Sequence, residues 1–245
     1  MAADSARRNN ATSALVFRDQ LYAEGNFRLV YKGVYTRGQR KGQQCVCKVF
    51  KTGSAFEDSY FYHDIQVLNK TLEILNHFNA EKFINKTILI NQASIWEFEY
   101  DGEKNLVEPF ISEWRKYNSN TGWKRDKTPW DQVMQALSHY SYHKTGGQFL
   151  LCDLQGGLYQ DGAIISDPVL HSRDRRFGPT DLGSDGISTF FATHTCNKYC
   201  LSHWAKPRAP QLIYQPTDGT TMTLDDSLTL HHRPPLTKQN LYYSK

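Results

Sequence analysis

The stretch from Phe149 to Cys200 decides how this chain folds. It begins with FLLCDLQGG at 149–157, an apolar run followed by an acid and an amide. ISDP follows at 165–168, and a glycine-rich turn, FGPTDLGSDG, occupies 177–186. The stretch ends with ISTFFATHTCNKYC at 187–200. Few globular domains need strand-end acids, a glycine loop and a His/Cys cluster within one short segment, so we expect a functional site here.

Length and charge limit the class of protein. A chain of 245 residues is long enough for one large domain or two lobes with a sizeable core. The net charge of +4 is compatible with a phosphate ligand. It is too weak to indicate nucleic-acid binding, and no basic stripe alternates with aromatic residues, so we expect no nucleic-acid partner.

The cysteines and the hydropathy pattern predict a compartment. The five cysteines are an odd number, and no secretory signal precedes them, which argues against a disulfide framework. No stretch is long and apolar enough to span a bilayer. We therefore expect a soluble, cytoplasmic protein with reduced thiols and no membrane insertion.

The order of the predicted elements indicates an α+β fold. Alternating strand-like runs precede and follow a helix with an apolar stripe over 54–79, and a second helix is predicted to start at Pro129. We expect a flexible N-terminus over 1–14, a domain over 15–204 and a largely irregular tail over 205–245. The domain is predicted to have two lobes, about 15–107 and about 108–204.

His194, Cys196 and Cys200 form the most specific local pattern. If a helix runs through the segment, the two cysteines share one face. Tetrahedral zinc needs a fourth ligand, for which His139 is our candidate and His143 and His203 are rivals. Such a site would be closed and structural. The alternative is two buried free cysteines with a histidine satisfied by hydrogen bonds.

Asp153 and Gln155 are candidate ligands of a hard cation. In a strand, residues two apart point to the same face, which would place a carboxylate beside an amide oxygen. Mg²⁺ needs few protein ligands when phosphates and water supply the others. The alternative is a strand end with ordinary polar residues.

Two further charged residues have open roles. Asp167 precedes a proline and is either a positioned base or a turn acid. Lys48 lies in an alternating strand, where it is either a phosphate ligand held by a helix acid such as Asp64 or an exposed edge-strand lysine.

Taken together, these residues resemble the alpha-kinases, atypical protein kinases that include myosin heavy chain kinases and channel-fused kinases. The resemblance covers roughly residues 27–200. Its motifs are VCK at 46–48, VEPF at 107–110, KYNSN at 116–120, CDLQG at 152–156, SDP at 166–168, LGSDGI at 182–187 and FFATHTCNKYC at 190–200.

The resemblance implies a two-lobed, protein-kinase-like fold with a structural zinc site in the C-terminal lobe. It implies a protein serine/threonine kinase that uses ATP and Mg²⁺ and acts on a protein hydroxyl. The implied roles are phosphate binding by Lys48, adenine contact by Glu108 at the hinge, Mg²⁺ binding by Asp153 and Gln155, catalysis by Asp167, and Zn²⁺ binding by His139, His194, Cys196 and Cys200. The rival interpretation is a zinc-stabilised pseudokinase that binds nucleotide or partners without chemistry.

Two departures from the family pattern stand out. Asp181 replaces the usual asparagine of the glycine loop, which predicts an added negative charge near a phosphate or substrate. The connection from Gln155 to Asp167 is longer, and an extra hairpin there would leave both ends in place.

Overall fold

The computed structural model describes residues 3–25 and 27–223. These residues form two compact units. The first contains the described residues up to Tyr62 together with Gln92–Phe110, and the second contains His63–Asn91 and the described residues from Ile111 onward. The chain therefore leaves the first unit and returns to it, rather than crossing once near residue 107 as the sequence suggested.

The first unit is a closed barrel of six strands in the order β1-β2-β3-β4-β7-β6. Pairing of β1 with β6 closes the barrel. Its interior is filled by small and aromatic side chains such as Val16, Cys47, Trp96 and Phe98. The bounds are β1 Asp4–Asn9, β2 Thr12–Glu24, β3 Arg28–Tyr35, β4 Gln44–Phe50, β6 Ser94–Phe98 and β7 Lys104–Pro109.

The first strands correct the prediction of a flexible N-terminus over residues 1–14. Residues 1–2 lie outside the described part of the chain, but Asp4–Asn9 and Thr12–Glu24 are paired strands. Ala6 and Ala14 are fully buried in the barrel. The segment reads as polar because its other side chains face solvent, and its order comes from pairing with distant strands.

The second unit carries three helices and six short strands. The helices are α1 Tyr62–Ala80, α2 Pro129–Lys144 and α3 Gly183–Thr193. One sheet has the order β5-β11-β10-β8 and a second sheet pairs β12 with β9. The bounds are β5 Thr87–Ile90, β8 Arg115–Lys116, β9 Phe149–Cys152, β10 Gln155–Tyr159, β11 Gly162–Ile165 and β12 Val169–Ser172.

Helix α1 belongs to the second unit because its apolar stripe packs there. Ile74, Leu75 and Phe78 are buried in the same core as residues of α2 and β9. The helix begins at Tyr62, after a short 3₁₀ turn at Asp58–Phe61, and not at residue 54 as predicted. The residues before the helix therefore belong to the first unit, with the barrel.

Helix α2 runs through the centre of the second unit. Thr128 caps its N-terminus in a capping box with Asp131, and Pro129 occupies the first turn, where no amide donor is lost. Eleven of its residues, from Asp131 to Tyr142, are buried. This burial fixes the direction of His139, which is fully buried.

The chain after α3 has no helix or strand among its described residues, 194–223. Trp204 is buried against Tyr140, His139 and Phe83, so this part of the chain is anchored to α2. Residues 224–245 of the predicted tail lie outside the described part of the chain. Among the helices that the structure describes, none has the length and apolar character needed to cross a membrane.

Candidate functional site

The histidine and cysteine side chains singled out in the sequence converge in the second unit. His139 comes from α2, and the other three come from the segment after α3. One ligand atom from each of His139, His194, Cys196 and Cys200 lies within 4.8 Å of the others. Sγ of Cys196 is 3.5 Å from Nδ1 of His139 and 3.7 Å from Nε2 of His194, and Sγ of Cys200 is 3.8 Å from that Nε2.

The segment reaches this geometry without the helix that the spacing suggested. Helix α3 ends at Thr193, and His194 is its extended C-cap. A turn then returns the chain, with the amide of Cys200 donating to the carbonyl of Asn197. The rivals His143 and His203 are not in the cluster; their rings contact each other 5.5 Å apart, and His143 Nδ1 accepts from Ala205.

Outer hydrogen bonds set the tautomers of both cluster histidines. Nε2 of His139 is 3.1 Å from the carbonyl oxygen of Ala205, and Nδ1 of His194 is 3.4 Å from Oε1 of Gln135. Both partners can only accept, so these nitrogens carry the protons. The other nitrogen of each ring presents a lone pair to the thiols, as in metal sites whose histidines are oriented from outside.

Burial keeps both rings neutral. Burial lowers the pKa of His139 to about 4. Burial and, to a smaller extent, nearby positive charge together lower the pKa of His194 to about 3. Zinc–ligand bonds of about 2.3 Å to sulfur and 2.0–2.1 Å to nitrogen give a sulfur–nitrogen edge of about 3.6 Å in a tetrahedron. The three sulfur–nitrogen distances lie close to that value. The donor set therefore fits tetrahedral zinc.

Asp153 lies at the junction between two sheets. Strand β9 ends at Cys152, β10 begins at Gln155, and the strands belong to different sheets. The backbone of Asp153 has φ 55°, in the left-handed region. The expectation that Asp153 and Gln155 share one face of a single strand is therefore wrong, because Asp153 lies between two strands and Gln155 begins a strand of the other sheet.

The carboxylate of Asp153 is buried and has charged and polar partners. Lys116 Nζ lies 2.8 Å from Oδ1, and the Thr220 hydroxyl donates to Oδ2 at 2.7 Å. Burial raises the pKa of Asp153, and the contacts with Lys116 and Thr220 oppose that rise. A carboxylate with one partner on each oxygen still has lone pairs that can bind a cation.

Gln155 and Asp167 are held together by the hairpin between them. Strands β10 and β11 pair antiparallel, and the amide of Ser166 donates to the carbonyl of Gln155 at 2.9 Å. Nε2 of Gln155 donates to the carbonyl oxygen of Asp167 at 3.2 Å, which identifies Oε1 as the atom able to bind a cation. The longer connection is thus a hairpin whose ends stay adjacent.

Asp167 is exposed and also has a left-handed backbone, with φ 47°. Non-glycine residues in this region carry strain, and such residues cluster at functional sites. Asp153 and Asp167 are two of the four non-glycine residues with positive φ in the described chain. The backbone thus marks the same two acids as the sequence motifs.

Lys48 and Glu108 form a buried ion pair in the first unit. They lie on neighbouring barrel strands, β4 and β7, and Lys48 Nζ is 2.5 Å from Oε1 of Glu108. Both side chains are almost fully buried, so the exposed edge-strand interpretation of Lys48 is wrong.

Asp181 organises its own loop instead of adding charge to a ligand site. Its carboxylate accepts from the amides of Ser172, Phe177 and Gly183 and from the Ser172 hydroxyl. Burial alone would raise its pKa, but these bonds and the contact with His171 outweigh it and leave the pKa below its ordinary value. The side chain is fully buried, so the expected charge near a phosphate is absent from the loop surface.

Three residues of the KYNSN motif at 116–120 contribute to the site, although no individual role was predicted for any of them from the sequence. Lys116 pairs with Asp153. Asn118 accepts from the amide of Leu154 at 2.8 Å and donates to Ser138, and Asn120 accepts from the amide of Thr221. Both asparagines are buried. The motif matches the loop of the family, but its polar composition does not indicate which groups these side chains bind.

Comparison with known proteins decides the family. The sequence model of the alpha-kinase family matches residues 23–200. The chain belongs to the alpha-kinase family. It is 33% identical over 185 residues to Alpha-protein kinase 1 of Dictyostelium discoideum, which is 73% of this chain and 13% of that protein. The chain spans about a third or less of the length of the curated relatives it matches.

Solved structures of other alpha-kinases share the fold. A novel alpha kinase from Entamoeba histolytica superposes with a TM-score of 0.68 at 25% identity, covering 86% of this chain and 85% of that one. The inactive alpha-kinase domain of myosin-II heavy chain kinase A complexed with ATP gives a TM-score of 0.65 at 24% identity, covering 77% and 87%. The mixed α/β alpha-kinase fold is thereby confirmed.

We predict that Asp181→Asn destabilises the protein by about 2–3 kcal/mol, because an amide group would face backbone donors that now bind a carboxylate. The carboxylate pKa is lowered by folding, so its contribution is present above the ordinary value near 4 and is lost as pH falls below it. Urea unfolding at pH 7 and at lower pH measures both effects.

Asp185→Asn is the matched control, since this acid on α3 is half-exposed and lies 3.7 Å from Arg175. It should change stability by less than about 0.5 kcal/mol. Equal unfolding midpoints for the two variants, or a difference that persists unchanged in acid, would contradict the role assigned to Asp181.

Proposed function

We propose that this chain is an ATP-dependent protein serine/threonine kinase of alpha-kinase type. The observation that carries the proposal is the placement of three motif residues on one connection of the second unit. Asp153 follows β9, Gln155 begins β10, and Gln155 is hydrogen bonded to Asp167 after β11. Membership of a protein kinase family gives this arrangement its chemical meaning.

The proposed acceptor chemistry centres on Asp167. A serine or threonine hydroxyl of a protein substrate attacks the γ-phosphorus of ATP, and the bond to the β–γ bridging oxygen breaks. Asp167 orients that hydroxyl and accepts its proton. Its exposure and the hydrogen bond between its carbonyl and Gln155 support this role, since an acceptor must reach it and its position must be fixed.

The other candidate residues would bind the nucleotide. ATP is assigned from the family and from the myosin kinase domain solved with it. We assign Lys48 to the phosphates, with Glu108 as the residue beside the adenine that also holds the lysine in the barrel. Asp153 and Gln155 offer hard oxygen ligands for Mg²⁺, which neutralises phosphate charge when bound.

The pseudokinase alternative rests on the state of Asp153. Its two carboxylate oxygens contact Lys116 and Thr220, as they would in a protein that keeps the acid for structure. In that case the fold would bind nucleotide or partners without phosphate transfer. The two candidates differ in a single measurable property, turnover.

We also propose that the His/Cys cluster binds structural zinc. The four ligands leave no open position for substrate, and they join α2 to the chain after α3. Such a site contributes to folding free energy because the unfolded chain cannot present its ligands together. Thiolate ligation requires reduced cysteines, which is consistent with the cytoplasmic location expected from the sequence.

We predict that the wild-type protein transfers labelled phosphate from ATP and Mg²⁺ to a generic basic protein, and that Asp167→Asn reduces the rate at least about 100-fold, the size of a general-base contribution. Because the substitution keeps the shape and removes the base, zinc content and thermal stability should not change. Initial rates of phosphate incorporation provide the measurement.

Asp174→Asn is the control, an exposed acid paired with Arg176 a few residues away. Transfer that continues equally in the Asp167 variant would remove Asp167 from catalysis. A folded wild-type protein that binds a non-hydrolysable ATP analogue but transfers no phosphate from ATP to any protein would favour the pseudokinase.

We predict that Cys196→Ala lowers the free energy of unfolding by at least about 3 kcal/mol and abolishes zinc retention, although this thiol is exposed. Truncating an exposed side chain without a metal normally changes stability by less than about 0.5 kcal/mol. Loss of a ligand to structural zinc removes much larger binding energy. Elemental analysis and chemical denaturation measure the two effects.

Thr195→Ala tests the neighbouring exposed position and should leave both quantities unchanged. A Cys196→Ala protein with full zinc content, or with wild-type stability, would disprove the structural role of the cluster.

A further inference from the structure

The chain after α3 ends its described course beside the candidate metal ligand. We call residues 217–223 the strap. The amide of Thr217 donates to Oγ1 of Thr121 at 3.0 Å, and that hydroxyl is 3.2 Å from the Thr217 carbonyl. Asn120 accepts from the amide of Thr221 at 2.9 Å and donates to its carbonyl at 2.6 Å. Two loop side chains thus each bind the backbone of one strap residue.

Thr220 lies between these two attachments and turns its side chain toward Asp153. Its hydroxyl donates to Oδ2 of Asp153 at 2.7 Å. Lys116 Nζ is 2.8 Å from Oδ1 of Asp153 and 3.5 Å from Oγ1 of Thr220. The three groups form a closed triangle in which Oδ2 accepts a hydrogen bond from Thr220 and Oδ1 lies in ionic contact with Lys116.

This triangle opposes the binding of a divalent cation to the same carboxylate. Mg²⁺ binds oxygen at about 2.0–2.1 Å in near-octahedral geometry, so a cation on Oδ2 would compete with the hydroxyl that now donates to that oxygen. The ammonium group of Lys116 would also repel a dication a few ångströms away. Thr220 is the more readily removed partner, because it belongs to the strap.

The strap is attached by polar contacts and not by burial. None of its side chains is buried, and Gly219 has no atom near enough to contact an added methyl group. The strap is hydrogen bonded to loop side chains, to Asp153 and to Lys116. In addition, the amide of Thr223 donates to the carbonyl of Pro179 at 3.0 Å. Such contacts break far more easily than a packed core.

We propose that the strap is autoinhibitory and that Thr220 competes with the catalytic metal for Asp153. This inference rests on the proposed role of Asp153 as a metal ligand. In the strapped state Thr220 and Lys116 satisfy the carboxylate. In the active state Thr220 leaves Oδ2, and the cation takes its position together with the nucleotide phosphates.

The variant Thr220→Val distinguishes two roles of the Thr220 hydroxyl, competition with the metal for Asp153 and direct ligation of the metal. Valine keeps the shape and removes the hydroxyl. If Thr220 competes, metal binding becomes roughly ten- to a hundredfold tighter, the amount expected from losing one hydrogen bond to a charged group. If the hydroxyl is instead a ligand of the metal, the same substitution weakens binding, so the sign of the change decides.

The experiment measures Mn²⁺ affinity by electron paramagnetic resonance, using the full chain and a non-hydrolysable ATP analogue. Thr221→Val is the matched control, because within the described residues Thr221 contacts Asn120 through its backbone alone. We expect tighter binding for Thr220→Val, wild-type binding for Thr221→Val and at least tenfold weaker binding for Asp153→Asn. Unchanged or weaker binding for Thr220→Val overturns the proposal.

The variant Asp153→Asn distinguishes failure of the strap proposal from failure of the proposed metal role of Asp153. Weaker binding there with no change in Thr220→Val rejects the strap and keeps the metal role of Asp153. Wild-type binding in Asp153→Asn rejects that metal role and, with it, the competition. Hydrogen exchange gives an independent check: Mn²⁺ with the analogue should speed exchange of the Thr217 and Thr221 amides, and slower exchange would contradict release of the strap.

Discussion

The contact among His139, His194, Cys196 and Cys200 is the constraint on which the second unit depends. It joins helix α2 to a segment that has no helix or strand among its described residues, 194–223. Trp204 of that segment is buried and packs on the same helix, and Tyr199 packs partly buried against the same core. The outer partners Gln135 and Ala205 orient both imidazoles so that their other nitrogens face the two thiols, an arrangement that fits a metal site. The chain that follows, including the strap, takes its direction from this anchor.

The same unit places two acids of the family motifs, Asp153 and Asp167, at points where the backbone is strained. Asp153 and Asp167 both have left-handed backbones, and each follows a strand that ends abruptly. The hairpin between them keeps their two segments adjacent through Gln155. Asn118 supports this arrangement from the neighbouring loop by binding the amide of Leu154. Precise placement of such groups is what phosphoryl transfer requires of a protein, since the enzyme contributes mainly position and charge.

The sequence predicted those features that depend on local spacing. The His194–Cys200 pattern, the start of α2 at Pro129 and the family itself were all visible in short motifs. Features set by distant pairing were not. Strand β1 has few apolar residues and is ordered by β2 and β6, and the partner of Lys48 lies about sixty residues away on a neighbouring strand. The left-handed backbone at Asp153 could not be predicted, because it lies where two sheets meet and the alternation of residues along one strand carries no information about that junction.

X-ray absorption at the zinc edge of the purified protein tests the central constraint most directly. We predict one zinc ion per chain, with two nitrogen neighbours at about 2.0–2.1 Å and two sulfur neighbours at about 2.3 Å. Those neighbours would be His139, His194, Cys196 and Cys200. Protein that is folded and free of zinc, or zinc bound only by light atoms, would contradict the account.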